Sequence, residues 1–237
     1  MTFASIIGQH DVKKRLGSAV KGVPGHAYVF IGPSGSGKTT LARAFAQALL
    51  CENATDIGAC GHCVSCHHFG NLVHPDFISL ELEPKEKTIK VEAVRSKVSA
   101  DIAMHPQFGN RKVYLIDADN INEQGQNALL KSLEEPPAYV YYLLTVSGLE
   151  RLLPTVRSRV VPIVMQRLSG EEIQQVLAEK NIPHSELTAF YARFSGGLPG
   201  VAVNLAGSEW FSTLREETIS LYQSVCTQSR AWLLTEG

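Results

Sequence analysis

Residues 31–40 read IGPSGSGKTT, and this stretch decides the fold. Gly32 and Gly37 bracket four residues and precede Lys38 and Thr39, which completes the phosphate-loop pattern G-x-x-x-x-G-K-[ST]. In such a loop, backbone N–H groups turn inward on phosphates at a helix N-terminus, the lysine reaches the β and γ oxygens, and the threonine hydroxyl can bind Mg²⁺. Each role needs its own residue type, so the stretch predicts a binding site for a nucleoside triphosphate.

The flanking sequence supplies the strand and the helix that such a loop requires. The run AYVFI (27–31) is short and apolar, as in a buried parallel strand, and the run TLARAFAQALL follows as a helix. Four more strands are predicted between helical patterns: FISLEL at 77–82, KVYLI at 112–116, VYYLLT at 140–145 and VVPIV at 160–164. This alternation is typical of an α/β fold with a doubly wound, parallel five-stranded sheet.

After Leu168 only helical patterns occur. We therefore expect one α/β domain over residues 1–167, a small all-helical domain over 168–207 and a helical tail over 208–237. The Gly-rich turn SGGLPG separates two helices of the second domain.

The composition indicates a folded globular protein without a strong electrostatic field. Of 237 residues, 44% are hydrophobic, and 22 Lys and Arg nearly balance 23 Asp and Glu, for a net charge of −1. Such a chain has no overall cationic surface for gripping nucleic acid. It has neither a secretory signal nor an apolar run of membrane-spanning length, so we expect a cytoplasmic location without a membrane partner.

Four of the five cysteines fall within residues 51–66 and are spaced C-x8-C-x2-C-x2-C: Cys51, Cys60, Cys63 and Cys66. In a cytosolic protein this clustering favours a metal over disulfides, and four thiolates suit tetrahedral Zn²⁺. The closed shell would fold a loop and perform no chemistry. His62, His67 and His68 could compete for a ligand place, and reduced thiols without a metal remain the alternative.

A triphosphate hydrolase also needs a carboxylate on a neighbouring strand to hold the metal, and Asp117 at the end of VYLI is placed for that. In many such ATPases a second carboxylate follows at once and polarises the attacking water, but position 118 is Ala. Asp119 is a weak substitute, because a two-residue shift along an extended segment changes reach; a turn before the next helix explains it equally well.

Taken together, several segments resemble the clamp-loader subunits of the AAA+ ATPases, the DNA polymerase III gamma/tau and delta-prime family. They are FASIIGQHDVKKRL, the glycine loop, the four-cysteine insert, HPDF, VYLIDADNINEQGQNALLKSLEEPP and TVRSR, spread over about the first two hundred residues. The resemblance implies an AAA+ domain with a zinc module at 51–66 and a helical lid, and Ile7 of IIGQ in the adenine pocket. It also implies that the nucleotide is held by Gly35, Ser36, Gly37, Lys38, Thr39, Thr40 and Asp117.

TVRSR is similar to the family's Ser-Arg-Cys motif, which would make Arg159 an arginine finger acting in trans on a neighbouring subunit's ATP. Val160 stands where the family usually has Cys, and Arg157 is a local competitor. A solvated or salt-bridged Arg159 is the alternative.

Two departures point to delta-prime within the family. Ala118 removes the catalytic carboxylate of gamma/tau, and Pro199 stands about where gamma/tau has a nucleotide-sensing Arg. We therefore expect a subunit that binds ATP or ADP with Mg²⁺ but turns it over weakly or not at all. The alternative is the gamma/tau motor, with Asp119 or Glu123 as the missing carboxylate.

The partners implied by the resemblance are gamma/tau and delta in a hetero-pentamer, the sliding clamp, and primer-template DNA through the complex. A small-molecule kinase is disfavoured because the cysteine insert and SLEEPP would have no role there. Family members continue into a helical collar domain, which the 208–237 tail would lead toward.

Overall fold

A sheet of five parallel strands forms the centre of the first of two compact units, residues 1–168. The computed structural model describes residues 2–82, 86–182 and 186–227. The strands are β1 (Ala27–Ile31), β2 (Phe77–Leu80), β3 (Lys112–Asp117), β4 (Val140–Val146) and β5 (Val161–Val164). Their order across the sheet is β2-β3-β4-β1-β5, and every pair is parallel. The predicted α/β fold class is confirmed.

The inner strands are apolar along their whole length because helices cover both faces of the sheet. All residues of β1 and β4 are buried. Val29 of β1 lies between Leu144 of β4 and Pro162 of β5 in the ladder. Pro162 cannot donate a ladder hydrogen bond, which fits the position of β5 at the sheet edge.

Six helices of the first unit cover the sheet: α1 (His10–Lys21), α2 (Lys38–Leu50), α3 (Val64–Gly70), α4 (Val91–Val94), α5 (Glu123–Glu134) and α6 (Pro154–Arg157). One apolar cluster joins α1, α2 and the cysteine segment to one face of the sheet. A second cluster joins α4, α5 and α6 to the other face. The two faces therefore carry separate cores on one sheet.

Two predicted elements differ in extent. Strand β2 ends at Leu80 rather than residue 82, and the carboxylate of the next residue, Glu81, accepts hydrogen bonds from Ser79 and Arg43. Val91, Val94, Val98 and Ile102 recur at the spacing of one helix. In the structure the segment is instead broken into α4, a π-helical turn over 95–99 and a 3₁₀ turn over 101–103.

The break has a physical reason at Asp101. Its carboxylate accepts hydrogen bonds from Lys112 Nζ at 3.0 Å and Tyr114 Oη at 2.8 Å, both on β3. Lys112 is buried, so its ammonium requires this partner. Pinning Asp101 to the sheet bends the chain away from a straight helix.

The second unit, residues 169–237, contains α7 (Gly170–Glu179), α8 (Glu186–Phe194), α9 (Pro199–Ala206) and α10 (Glu209–Thr227). Ser169 and Glu172 form a capping box that starts α7, and Pro199 starts α9. The rings of Phe190, Tyr191 and Phe211 pack α8 against α10. Residues 228–237 of the predicted tail lie outside the described residues.

No helix within the described ranges is long and apolar enough to cross a membrane.

Candidate nucleotide-binding site

The phosphate loop has the backbone that its glycines allow. Gly35 and Gly37 have φ of 81° and 87°, left-handed values that residues with a Cβ rarely adopt. A Cβ at Gly32 would lie 2.7 Å from Ser36 Oγ, a buried hydroxyl without a hydrogen-bond partner among the described residues. Helix α2 begins at Lys38 without a side-chain cap, so its first-turn N–H groups can bind an anion.

A cavity of about 360 Å³ opens beside the loop, at the carboxyl ends of the strands. It is lined by Ser34, Lys38, Thr39, Glu81, Leu82, Leu115, Asp117, Asp119, Asn120, Thr145 and Ser147. Three of the expected nucleotide and Mg²⁺ ligands, Lys38, Thr39 and Asp117, therefore share one cavity. Thr40 is exposed on the first turn of α2 and Ile7 is half-buried, and neither lines it.

Asp119 reaches this cavity, although the sequence explained it equally well as a turn residue. A 3₁₀ turn over Ala118–Asn120 follows β3 and replaces the extended path, so the two-residue shift does not take the carboxylate away. Asp119 Oδ2 lies 3.9 Å from Lys38 Nζ, and Oδ1 accepts hydrogen bonds from Ser147 N at 2.9 Å and Ser147 Oγ at 2.7 Å. Asp117 instead accepts from Asn120 Nδ2 at 2.7 Å.

Ala118, unlike Asp117 and Asp119, does not line the cavity. It is 2% exposed and packs in the apolar cluster that α5 covers. Glu123, the other candidate replacement for a second carboxylate, is exposed in the first turn of α5 and does not line the cavity.

Thr145 and Ser147 are among the cavity residues that were not sequence-derived candidates. Both lie at the end of β4, which neighbours β1 and β3 in the sheet. The signal was available in principle, because the carboxyl ends of adjacent parallel strands meet at one edge.

The N-terminal segment is fixed beside the phosphate loop by Gln9. This residue is buried with φ of 53°; its Nε2 donates to Gln166 O at 2.6 Å and its Oε1 accepts from Gln166 N at 3.0 Å. The preceding residue, Met165, would be 3.0 Å from a Cβ at Gly32. The IIGQ segment is therefore tied, through one side chain, to a residue that packs on the loop.

Arg159 lies just after α6 and is bound to its own chain at three points. Its Nη1 donates to Thr155 O at 2.8 Å and to Ser158 Oγ at 3.0 Å. Its Nη2 lies 2.7 Å from Glu134 Oε1 at the end of α5. Arg157 is exposed, and its side chain has no hydrogen bond or ion pair within the described part of the chain.

The four cysteines expected to bind zinc lie together, with all four Sγ atoms within 4.8 Å of one another. Cys51 and Cys63 are separated by 3.9 Å between their Sγ atoms, and Cys60 and Cys66 by 4.0 Å. A zinc ion with four Zn–S bonds of about 2.3 Å has S–S distances of about 3.8 Å, so these thiols fit a tetrahedral site. Among the described residues, no histidine joins the group.

The thiols differ in their readiness to ionise. The backbone N–H of His62 lowers the pKa of Cys60 to about 6, whereas burial raises the pKa of Cys51 and of Cys66. Backbone N–H groups also point at Cys51 Sγ and Cys63 Sγ, at 3.2 Å and 3.4 Å. Such outer contacts stabilise thiolates and orient them toward a metal.

The cysteine module also anchors the start of the chain. Phe3 N donates to Ile57 O at 2.9 Å, and Lys21 pairs with Asp56 at 3.1 Å. Helix α1 approaches the same loop so closely that a Cβ at Gly17 would lie 2.1 Å from Asp56 O. The segment that the cysteines fold is thus packed against α1.

Residues 8–169 match the family model described as DNA polymerase III, delta subunit. The chain belongs to this family. The matched range contains the phosphate loop, the four cysteines and Arg159.

Individual relatives agree with the delta-subunit family. The chain is 40% identical over 187 residues to DNA polymerase III subunit delta' of Pseudomonas aeruginosa, covering 77% of the chain and 56% of that protein. It is 33% identical over 203 residues to subunit delta' of Escherichia coli, covering 84% and 60%. It is also 35% identical over 192 residues to subunit tau/gamma of Haemophilus influenzae, covering 78% and 27%.

These relatives confirm the resemblance drawn from the sequence, including its preference for delta-prime. The chain spans between half and two thirds of the length of the two delta' relatives.

Solved structures show the same fold. A gamma-subunit-related DNA polymerase III protein from Thermotoga maritima superimposes with a TM-score of 0.50 at 22% identity, covering 92% of the chain and 68% of that protein. A RuvB variant from Thermotoga maritima gives a TM-score of 0.56 at 18% identity, covering 87% and 63%. At these identities the likeness concerns the fold alone.

Proposed function

We propose that this delta-family chain is the delta-prime subunit of a bacterial clamp loader, a cytoplasmic AAA+ protein. In this proposal it joins gamma/tau and delta in a hetero-pentamer that loads the sliding clamp onto primer-template DNA. It binds ATP or ADP itself and contributes Arg159 to the nucleotide of an adjacent subunit. The observation that carries the proposal is that Lys38, Thr39 and Asp117 line one cavity, while Ala118, the residue directly after Asp117, is buried.

The nucleotide would lie on the phosphate loop. Backbone N–H groups of residues 35–39 would hold phosphate oxygens, and Lys38 would neutralise their charge. The Thr39 hydroxyl and the Asp117 carboxylate would hold Mg²⁺, which would supply positive charge against the phosphates. The unpartnered Ser36 hydroxyl supports this fit, because a buried donor in this loop requires an acceptor.

Zinc would be held by the cysteine module as a structural ion. Four sulfur ligands would leave no open coordination position, so the site would stabilise the loop that carries the cysteines and would not be catalytic.

Weak or absent ATP turnover is expected because Ala118 is an apolar side chain buried in the core. A methyl group in the core cannot polarise water, so this chain's own site would retain the nucleotide rather than consume it.

A second candidate function is favoured by one observation, the position of Asp119. Its carboxylate lies 3.9 Å from Lys38 Nζ and is oriented by two hydrogen bonds from Ser147. If Asp119 polarised water, the chain would be an ATP-hydrolysing motor of the gamma/tau type.

Steady-state phosphate release by the isolated protein separates the two candidates. We expect a fluorescent ATP analogue to bind in a Lys38-dependent manner, with release no faster than in Lys38→Ala. Release that requires Lys38 and is lost in Asp119→Asn, while the analogue still binds, would establish the motor instead.

The trans role of Arg159 is tested in a reconstituted loader whose gamma/tau subunits carry Ala at their own finger arginines. The nucleotide site that faces this chain is then the one that still has a finger arginine, and that arginine is Arg159. Because an arginine finger contributes about 10³-fold or more to turnover, Arg159→Ala is expected to abolish DNA-stimulated hydrolysis there. Arg157→Ala is the matched control, since Arg157 is two residues away and exposed. Equal activity of wild type and Arg159→Ala would refute the trans role.

A further inference from the structure

Two sequence segments that appear unrelated in the chain, SLEEPP and TVRSR, meet in space. Glu134 is the last residue of α5, which Pro136 and Pro137 prevent from continuing. Its Oε1 lies 2.7 Å from Arg159 Nη2, and it is the acidic partner of that guanidinium among the described residues. This contact therefore joins an acidic residue of SLEEPP to the arginine of TVRSR.

Helix α5 holds the arginine-bearing segment at a second place. The buried side chain of Gln126 donates to Arg151 O at 2.9 Å and accepts from Leu153 N at 2.9 Å. Val156, on α6, is fully buried in the cluster that α5 also enters. The backbone around residue 159 is therefore attached to α5, and Glu134 extends this attachment to the Arg159 side chain.

We propose that Glu134 is a positioning residue, which holds the Arg159 guanidinium ready for the neighbouring subunit's nucleotide. This inference rests on the proposed trans role of Arg159. A free arginine side chain loses rotamer entropy when it is fixed. Glu134, with Thr155 and Ser158, fixes the Arg159 side chain before the neighbouring subunit binds. This entropy loss then does not add to the activation barrier of hydrolysis.

The contacts leave the guanidinium able to act. It has five N–H donors, and the three contacts to Thr155, Ser158 and Glu134 use at most three of them. At least two donors remain for phosphoryl oxygens. A carboxylate anchor differs from a neutral one because charge-assisted hydrogen bonds are roughly twice as strong.

The pair is suitable for a mutational test because it contributes little to folding. The side chains of Arg159 and Glu134 are 34% and 48% exposed, and exposed ion pairs contribute little to the stability of the fold. Glu134→Ala should therefore fold and assemble. Glu135→Ala is the matched control, because Glu135 is the adjacent exposed carboxylate.

The experiment uses the reconstituted loader of full-length subunits in which only the site facing this chain depends on Arg159. We expect Glu134→Ala to lower kcat by about 10- to 100-fold, the scale expected when a catalytic group is misplaced by about 1 Å. The KM for ATP and the complex assembled on size-exclusion chromatography should not change, and Glu134→Gln should recover part of kcat because it keeps an acceptor. Glu135→Ala should match wild type, and adding Glu134→Ala to Arg159→Ala should cause no further loss.

The outcomes separate the two proposals. If Arg159→Ala abolishes turnover while Glu134→Ala keeps wild-type kcat, the trans role stands and the positioning role is wrong. A rise in kcat for Glu134→Ala would mean that the carboxylate restrains Arg159, and would also overturn the inference. If Arg159→Ala itself has no effect, the trans role fails and the positioning role fails with it.

Discussion

Asp76 of the HPDF segment offers the sharpest test of how the first unit is held together. Its carboxylate is fully buried just before β2, and it accepts hydrogen bonds from two backbone N–H groups, Gln107 at 2.8 Å and Phe108 at 2.6 Å. These bonds fix the loop that leads into β3. We predict that Asp76→Ala strongly destabilises the first unit without touching the nucleotide cavity.

The magnitude follows from the two bonds. Hydrogen bonds to a charged group contribute about 1.5–3 kcal/mol each, so their joint loss would cost up to about 6 kcal/mol. Gln107 is exposed, and its N–H can bond to water after the change, which reduces the loss to about 2–4 kcal/mol. For a unit of this size that corresponds to a fall in Tm of about 5–15 °C.

Asp76→Asn makes the test more specific, since it has nearly the same shape. The amide offers one oxygen and one NH₂ group, so one of the two backbone donors would face another donor. We therefore expect Asn to lose nearly as much stability as Ala. The same change at the exposed Asp11 should cost less than about 1 kcal/mol, the scale of a charge at a helix start.

Thermal and urea unfolding followed by far-UV circular dichroism and near-UV tyrosine signals is the appropriate assay. A fall in stability of under 1 kcal/mol for Asp76→Ala, or a clear difference between Asn and Ala, would refute the two-bond explanation.

Three more predictions concern the cysteine module and its contacts. Burial lowers the pKa of His74, so below its ordinary value of about 6.5 the unfolded chain binds more protons than the folded one. The free energy of unfolding should therefore fall as pH falls from 7 to 5.5, and it should fall less in His74→Gln. Gly17→Ala should speed hydrogen exchange at residues 55–58, because its Cβ would lie 2.1 Å from Asp56 O, whereas Gly70→Ala meets nothing within 4 Å and should not. Metal analysis should find one zinc per wild-type chain and almost none in Cys63→Ser; equal zinc in both would contradict a four-cysteine site.

The strands were predictable because their local sequence is unambiguous. β1 and β4 are buried on both faces, so they are continuous apolar runs, and their predicted bounds match within one residue. The phosphate loop was predictable for a similar reason, since the positive φ at Gly35 and Gly37 requires glycine itself.

The contacts around the cavity were not predictable, because they join residues far apart in sequence. The sequence left Asp119 open between a turn residue and a second carboxylate; it lies in a 3₁₀ turn, and in the cavity its carboxylate is held by Ser147, twenty-eight residues later. The partner of Arg159 is likewise on another helix. The local sequence pattern predicts which residues form a helix or strand, but tertiary packing determines which side chains come together at the end of that helix or strand.

Lys38 and Arg159, the two cations on which the proposed function depends, each have an acidic partner from the same chain. The two pairs differ in whether a phosphate must compete with that partner. Lys38 and Asp119 are 13% and 22% exposed, so a phosphate approaching Lys38 meets a partly desolvated carboxylate at close range. Lys38 has a single ammonium, and the nucleotide must share or displace Asp119 to reach it. The guanidinium of Arg159 can keep its contacts to Glu134, Thr155 and Ser158 and still offer two N–H donors to a phosphoryl group. The chain's net charge of −1 adds no long-range attraction for an anion, so selectivity for phosphate depends on the loop N–H groups at one site and on a prearranged arginine at the other.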